Sequence, residues 1–452
     1  MTRTISRRQV LRGAATVAGA QLLSPIVFRA GTAWGDAQVD PATANRMRLV
    51  IIDLIGGNDG LNTVVPMSGA IRDVYEKVRV TTELPADTLL PLGAVDGGTV
   101  GLNPNLPTMY GFWQQNRMAV VQGCDYPGHD YSHFVSDDIW QTGFVNQTTG
   151  SGWLGRHLDR VGIGEGELRG VGIGLDRLPL ALRGTQVRGE EINSVYETQF
   201  TDGGEFGVTQ RRHAEFAAFS AAPYPVDAYY GDMCRRARDL AIATTGLTAA
   251  QPGGVANQML TARTLLTANL GTEVVFVGTG GYDTHDNQLV NHANLLRDLD
   301  RGIEAFFHGT RDGVPILNGS TPVGPLPQAI AEKTLVMTFS EFGRRIGDNG
   351  TGTDHGAAAP MFLIGPPAPP AGSGRVVLTP GLHRDHPAMG SVLAPADNLE
   401  MTTDMRSIYQ SVLTNWISDA SGPSPDEGDD EFRISGPGYG SDGSLTGLFG
   451  VA

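Results

Sequence analysis

"MRLVIIDLIGGNDG", residues 47–60, reads as one buried strand ending in a tight turn. From Leu49 to Ile55 the run is apolar and β-branched, broken only by Asp53. Such a run has no polar face to offer water, so it needs cover on both sides. Gly56, Gly57 and Gly60 end it abruptly and leave Asp59 in the turn. Comparable runs recur at 117–123 (RMAVVQG), within 272–285 (TEVVFVGTGGYDTH), at 333–339 (KTLVMTF) and at 360–365 (PMFLIG). Helical spacing of apolar residues appears between and after them, at 254–269, 287–309 and 402–417. This rhythm predicts an α/β protein, a three-layer sandwich with a mostly parallel central sheet.

The first residues have a different character. Arg7 and Arg8 precede a short Ala/Gly-rich apolar stretch that runs to about Val27. A basic region, a short apolar region and small residues make an export signal, and the paired arginines point to the Tat route. Residues 1–37 are therefore expected to be a Tat signal peptide. The Tat translocase is the partner during export, and the periplasm or the exterior is the destination. No later run is apolar for long enough to span a bilayer. The net charge of −15 argues against general nucleic-acid binding. Cys124 and Cys234 leave a disulfide open, since spacing does not give their separation. Residues 45–420 read as one α/β domain. Weak periodicity marks 160–230 as an irregular insertion or cap, and Gly, Ser, Asp and Pro mark 421–452 as a flexible tail.

In parallel sheets, ligands bind where loops leave the carboxyl ends of the strands. The polar residues at those positions here are Asp59; His129, Ser132 and His133; Asp283 and His285; and Glu341, Arg344 and Arg345, followed by Asp354 and His355. Asp oxygens and His nitrogens are ligands for Zn, Mn or Fe, and the carboxylates also suit Mg or Ca. Asp283 and His285 stand two apart, so an extended backbone turns both to one side. Each fragment alone also fits a plain turn or helix cap; their common placement favours a site.

The segments LVIIDLIGGNDGLNTVVP, YSHFVSDDIWQTG, GGYDTHDNQ, VMTFSEFGRR, GTDHGAAAPMFLIG and TTDMRSIYQSVLTNWI occur in this order. Together they closely resemble the family called domain of unknown function 1501, which is similar to the alkaline phosphatase and sulfatase superfamily. The resemblance implies an alkaline-phosphatase-like frame with one or two divalent metals. It implies Asp59, Asp283, His285, Asp354 and His355 as ligands and Ser132 as the nucleophile. Substrate would meet His133 and Arg344 or Arg345. Three departures stand out. Asp283 and His285 are two apart where four is usual, and the late histidines His383 and His386 lie in no matching motif. Neither cysteine lies in the motif that sulfatases convert to formylglycine. The reading is an exported metal-dependent hydrolase of phosphate or sulfate esters, small or carried on polysaccharide. The alternative is a secreted binding or assembly protein on the same fold.

Overall fold

The computed structural model describes residues 45–145, 150–163, 167–175, 177–192, 254–268, 270–318, 321–389, 397–417, 432 and 434–452. The expected signal peptide and Cys234 lie outside them. In chain order the elements used here are β1 (Arg48–Ile55), β2 (Val64–Gly69), α1 (Ala70–Val78), β3 (Leu90–Val95), β4 (Gly98–Leu102), α2 (Pro107–Gln114), β5 (Met118–Asp125), α3 (His133–Thr142) and α4 (Trp153–Val161). Then come β6 (Gly170–Ile173), β7 (Glu190–Ile192), α5 (Gly254–Thr267), β8 (Val274–Gly280), α6 (Gln288–His308), β9 (Thr334–Phe339) and β10 (Ala359–Ile364). The last are β11 (Val376–Leu378), β12 (Gly381–His383), β13 (Thr403–Asp404), α7 (Met405–Asn415) and β14 (Phe449–Val451).

Nine of these strands form one sheet in the order β12-β5-β10-β9-β1-β8-β6-β7, with β13 also pairing with β5. All run parallel except β10, which is antiparallel to both β9 and β5, so the sheet is mixed. The run at 47–55 is the strand β1 near the middle, between β9 and β8. Its residues are buried on both faces. Leu49 and Ile51 join Phe276, Leu335 and Met337 in a core with Trp140, Trp153, Ile408 and Tyr409 from α3, α4 and α7. Val50, Ile52, Val275 and Val277 are as fully buried and belong to the opposite face. There α5 packs against β8 and β6, and α6 packs on α5 and α2.

Two stretches differ from expectation. Within 160–230, the described part supplies β6 and β7, which extend the central sheet by parallel pairing. These strands are only four and three residues long, and β6 is half glycine, so both are too short for a periodicity signal. Within 421–452, Leu445 and Leu448 are buried in the main core, and β14 pairs antiparallel with β11. Two leucines and a strand anchor that end of the chain against the domain despite its polar composition. A three-stranded antiparallel sheet, β2-β4-β3, was also unmarked by the sequence patterns.

Asp300 on α6 accepts from Thr108 N at 3.0 Å and Met109 N at 2.9 Å, filling the N-terminal bonds of α2. Burial pushes its carboxyl up to about 6. A carboxyl raised in the fold stabilises it most below the unfolded value near 3.8, and that contribution is lost as pH rises through about 6. Wild type is therefore expected to lose roughly 2–3 kcal/mol between pH 4 and 7 that Asp300→Asn does not. Denaturant melts of both proteins across that range check it. Parallel pH curves would refute the assignment.

Candidate metal centre

Because β1, β5, β8 and β9 run parallel, the loops after them leave from one edge of the sheet. The loop after β9, residues 340–358, returns into the reversed strand β10, so it begins and ends on that same edge. Asp354 and His355 thus precede a strand as well as follow one. These loops bring together His133, Asp283, His285 and His355.

His133, Asp283 and His355 each offer a ligand atom within 4.8 Å of the others. His133 Nε2 lies 3.4 Å from Asp283 Oδ2, and His355 Nε2 lies 3.1 Å from Asp283 Oδ1. His285 Nε2 lies 2.9 Å from both Asp283 Oδ1 and His355 Nε2. Ligands about 2.0–2.1 Å from a tetrahedral zinc are about 3.3 Å apart. The observed separations bracket that value.

The outer ring nitrogens decide what the inner ones can do. His133 Nδ1 meets Glu341 Oε1 at 2.7 Å, His355 Nδ1 meets the Tyr131 carbonyl at 2.8 Å, and His285 Nδ1 meets Asp354 Oδ1 at 3.2 Å. Each outer oxygen can accept from an Nδ1–H, and Asp283 Oδ1 can equally accept from the Nε2–H of His285 or His355, so the tautomers follow from what occupies the centre. With the proton on Nδ1, the neutral ring holds a lone pair at Nε2. In that tautomer three Nε2 lone pairs and the Asp283 carboxylate face one another, a donor set of the kind that suits a divalent cation. An acceptor behind each ring is also how metal-binding histidines are oriented.

The supports are rigid. Arg344 is buried; its guanidinium donates to Gly57 O at 2.7 Å, Thr353 O at 2.9 Å, Tyr282 O at 3.0 Å and Asp283 Oδ1 at 2.7 Å, and also to Gly56 O. Burial pushes the Asp283 carboxyl up, but Arg344 and the two imidazoles overcome this and hold it at about 2. Hydrogen bonding to Glu341 pulls His133 up, so a cation would displace that proton. Thr284, between Asp283 and His285, is buried and donates to Gln288 Oε1 at 3.2 Å. Across the 340–358 loop, Arg345 N donates to Asp354 O at 3.0 Å and Gly356 N to Gly343 O at 2.9 Å, with Arg344 paired antiparallel to His355. A Cβ on Gly352 would sit 2.4 Å from the His285 backbone, and one on Gly356 2.3 Å from that of Arg344. The glycines around Asp354 and His355 are there for close approach.

Several candidates take other places. Asp59 is fully buried, bound through both oxygens by Arg79 and also by Gln288, so its oxygens are committed to a structural ion pair. Asp354 holds His285 Nδ1 from behind and accepts from Asn349 Nδ2 at 3.2 Å. Arg344 is spent on carbonyls and Asp283, leaving it no role in gripping substrate. His133 lies in the cluster with Asp283 and His355. Arg345 lines a cleft of about 480 Å³ with Tyr131, His285, Asn349, Asp354 and His355, its guanidinium 4.6 Å above the Tyr131 ring. Ser132 is half-buried at the start of α3, next to His133; its N–H donates to Asp130 Oδ1 at 2.6 Å, and its hydroxyl does not cap the helix. His129 reaches Tyr131 Oη, while His383 and His386 bond to backbone carbonyls. Asp53 is buried within β1 with Oδ1 unpartnered among the described residues, and burial pushes its carboxyl well up. Glu341 lay in a recognised strand-end motif, but nothing local marked it as the His133 partner. Arg79, in no motif, has a signal only through its position at the C-cap of α1.

The fold and the site define an α/β protein with a mixed central sheet and a His₃Asp cluster at one edge. Residues 93–313 match the model of the family described as "Protein of unknown function (DUF1501)", which supports the resemblance seen in the motifs. The matched stretch contains His133, Asp283 and His285 and ends before β9. No curated protein matches the chain. No helix among the described residues is long and apolar enough to cross a membrane.

Proposed function

We propose that the protein is an exported, metal-dependent hydrolase of phosphate or sulfate esters. One divalent cation, zinc by donor type, is held by His133, Asp283, His285 and His355. The observation that carries this is the oxygen acceptor behind the Nδ1 of each of the three histidines, an arrangement that lets three Nε2 lone pairs and a carboxylate face one point. When bound, the cation supplies Lewis-acid polarisation of an anionic ester oxygen. Arg345, on the cleft wall, receives the remaining anionic oxygens. Ser132 Oγ attacks phosphorus or sulfur and its proton leaves with the alcohol; water then releases the acid and restores the hydroxyl. The shared edge of parallel strands supports likeness to the alkaline phosphatase and sulfatase frame. The burial of Asp59 against Arg79 makes this a one-metal version of it. Arg7, Arg8 and the apolar stretch after them support Tat export.

Mass-spectrometric metal analysis and assays with aryl phosphates and aryl sulfates test the proposal. About one ion per chain is expected. Chelation or Ser132→Ala should lower turnover at least about 100-fold. Bound metal without turnover would leave a secreted binding or assembly protein, and protein that takes up no metal would end the hydrolase reading and leave that alternative.

A further inference from the structure

The strip Asp283–Thr284–His285 has a cleft on each side. The first is the 480 Å³ cleft of Arg345 and His355. The second, about 560 Å³, follows α6 and is lined by Asp283, Asn291, Asn294, Arg297, Asp298 and Arg301. Either volume alone takes a small ligand. Asp283, the carboxylate on which the imidazoles converge, walls the second, while His285 and His355 wall the first. An ester no larger than one cleft would leave the other without a purpose.

We propose that the substrate is an ester-bearing oligosaccharide chain that crosses the metal centre, with sugar units in both clefts and the ester cut within the chain. This rests on the hydrolase reading for its reacting point and adds the class of substrate. The lining of the second cleft selects that class. Asn291 Nδ2 bonds to Asp286 O at 3.2 Å, which leaves its Oδ1 and a second N–H for a ligand. Asn294 Oδ1 accepts from Arg297 at 2.9 Å and keeps its NH₂. Arg297 is further held by Asn105 Oδ1 at 2.8 Å and Arg301 by Asp312 at 2.7 Å. With both arginines engaged and the chain at −15, a polyanion finds little attraction. Leu295 is the one sizeable apolar side chain in the lining, so an apolar peptide has little to dock against. Amides that give and accept hydrogen bonds, beside carboxylates that accept them, suit the hydroxyl-rich, uncharged sugar units that flank the ester.

The test is calorimetry of the full chain with neutral oligosaccharides of two to six units from glucan, xylan, mannan and galactan. Binding to at least one series should tighten about tenfold or more between two and four units. Asn291→Ala/Asn294→Ala, two exposed positions on α6 whose change leaves the fold intact, should abolish that gain. Affinity independent of length, equal affinity in the variant, or no binding to any series overturns the inference. Aryl-ester turnover by the wild type is read separately: turnover without saccharide binding sinks only this inference, and saccharide binding without turnover sinks the hydrolase.

Discussion

His355→Ala is expected to retain no more than about a tenth of an ion per chain after dialysis, against about one for the wild type. The imidazole contributes the Nε2 nearest His285, and its ring packs 4.4 Å from that of His133. Losing an outer partner of a ligand usually weakens metal binding 10–100-fold. Losing a ligand should exceed that, so a fall of more than about 100-fold follows. Asp354→Ala is the informative companion. Asp354 stands behind His285, so its loss should cost only about 10–100-fold, and metal should return at high concentration. Metal analysis and competitive titration with a chromophoric chelator read both. Full occupancy in His355→Ala, or a deeper loss in Asp354→Ala, would reverse the roles assigned to this pair.

Asp59→Ala should unfold more easily by about 3–5 kcal/mol while its folded fraction still binds about one ion per chain. The loss follows from leaving the Arg79 guanidinium buried without its carboxylate. Arg79 also donates to Ile346 O at 2.5 Å and Arg345 O at 2.9 Å, so the pair ties α1 to the loop that carries His355. Burial pushes the Asp59 carboxyl up, but Arg79 outweighs burial and holds it below its usual value. A carboxyl lowered in this way stabilises the fold above the unfolded value near 3.8, and the contribution is lost as pH falls through the folded one. The gap between variant and wild type should therefore be full at pH 7 and narrow only below about pH 4. Denaturant melts at pH 7 and pH 3 measure it. A variant of wild-type stability that has lost its metal would restore Asp59 as a ligand.

Much of the frame was legible because its central strands are unbroken apolar runs and its long helices carry clear stripes. β1, β5, β8, β9 and β10 lie within a residue or two of where their patterns place them. The direction of β10 was not legible, since a hydrophobic run carries no sign of which way it pairs. Short Gly-rich strands such as β6 also gave no pattern. At the site, Asp283, His285 and His355 could be found from strand-end position alone. Asp59 could not be sorted from them, because its partner Arg79 lies 20 residues away and no local pattern links the two. Arg344 and Arg345 are adjacent and chemically identical; only the fold shows that one is walled in by carbonyls and the other meets solvent.

The reversed direction of β10 has a further consequence. Because the chain enters and leaves the 340–358 segment on one edge and is zipped at its neck by the Arg344–His355 rung, the segment is a finger with a fixed base. Its tip, the exposed turn around Gly350, borders the first cleft but holds no imidazole. Lengthening or rewriting that tip would reshape what the crevice admits and leave the histidines where they are. Substrate preference could thus drift between lineages while the inner chemistry stays constant.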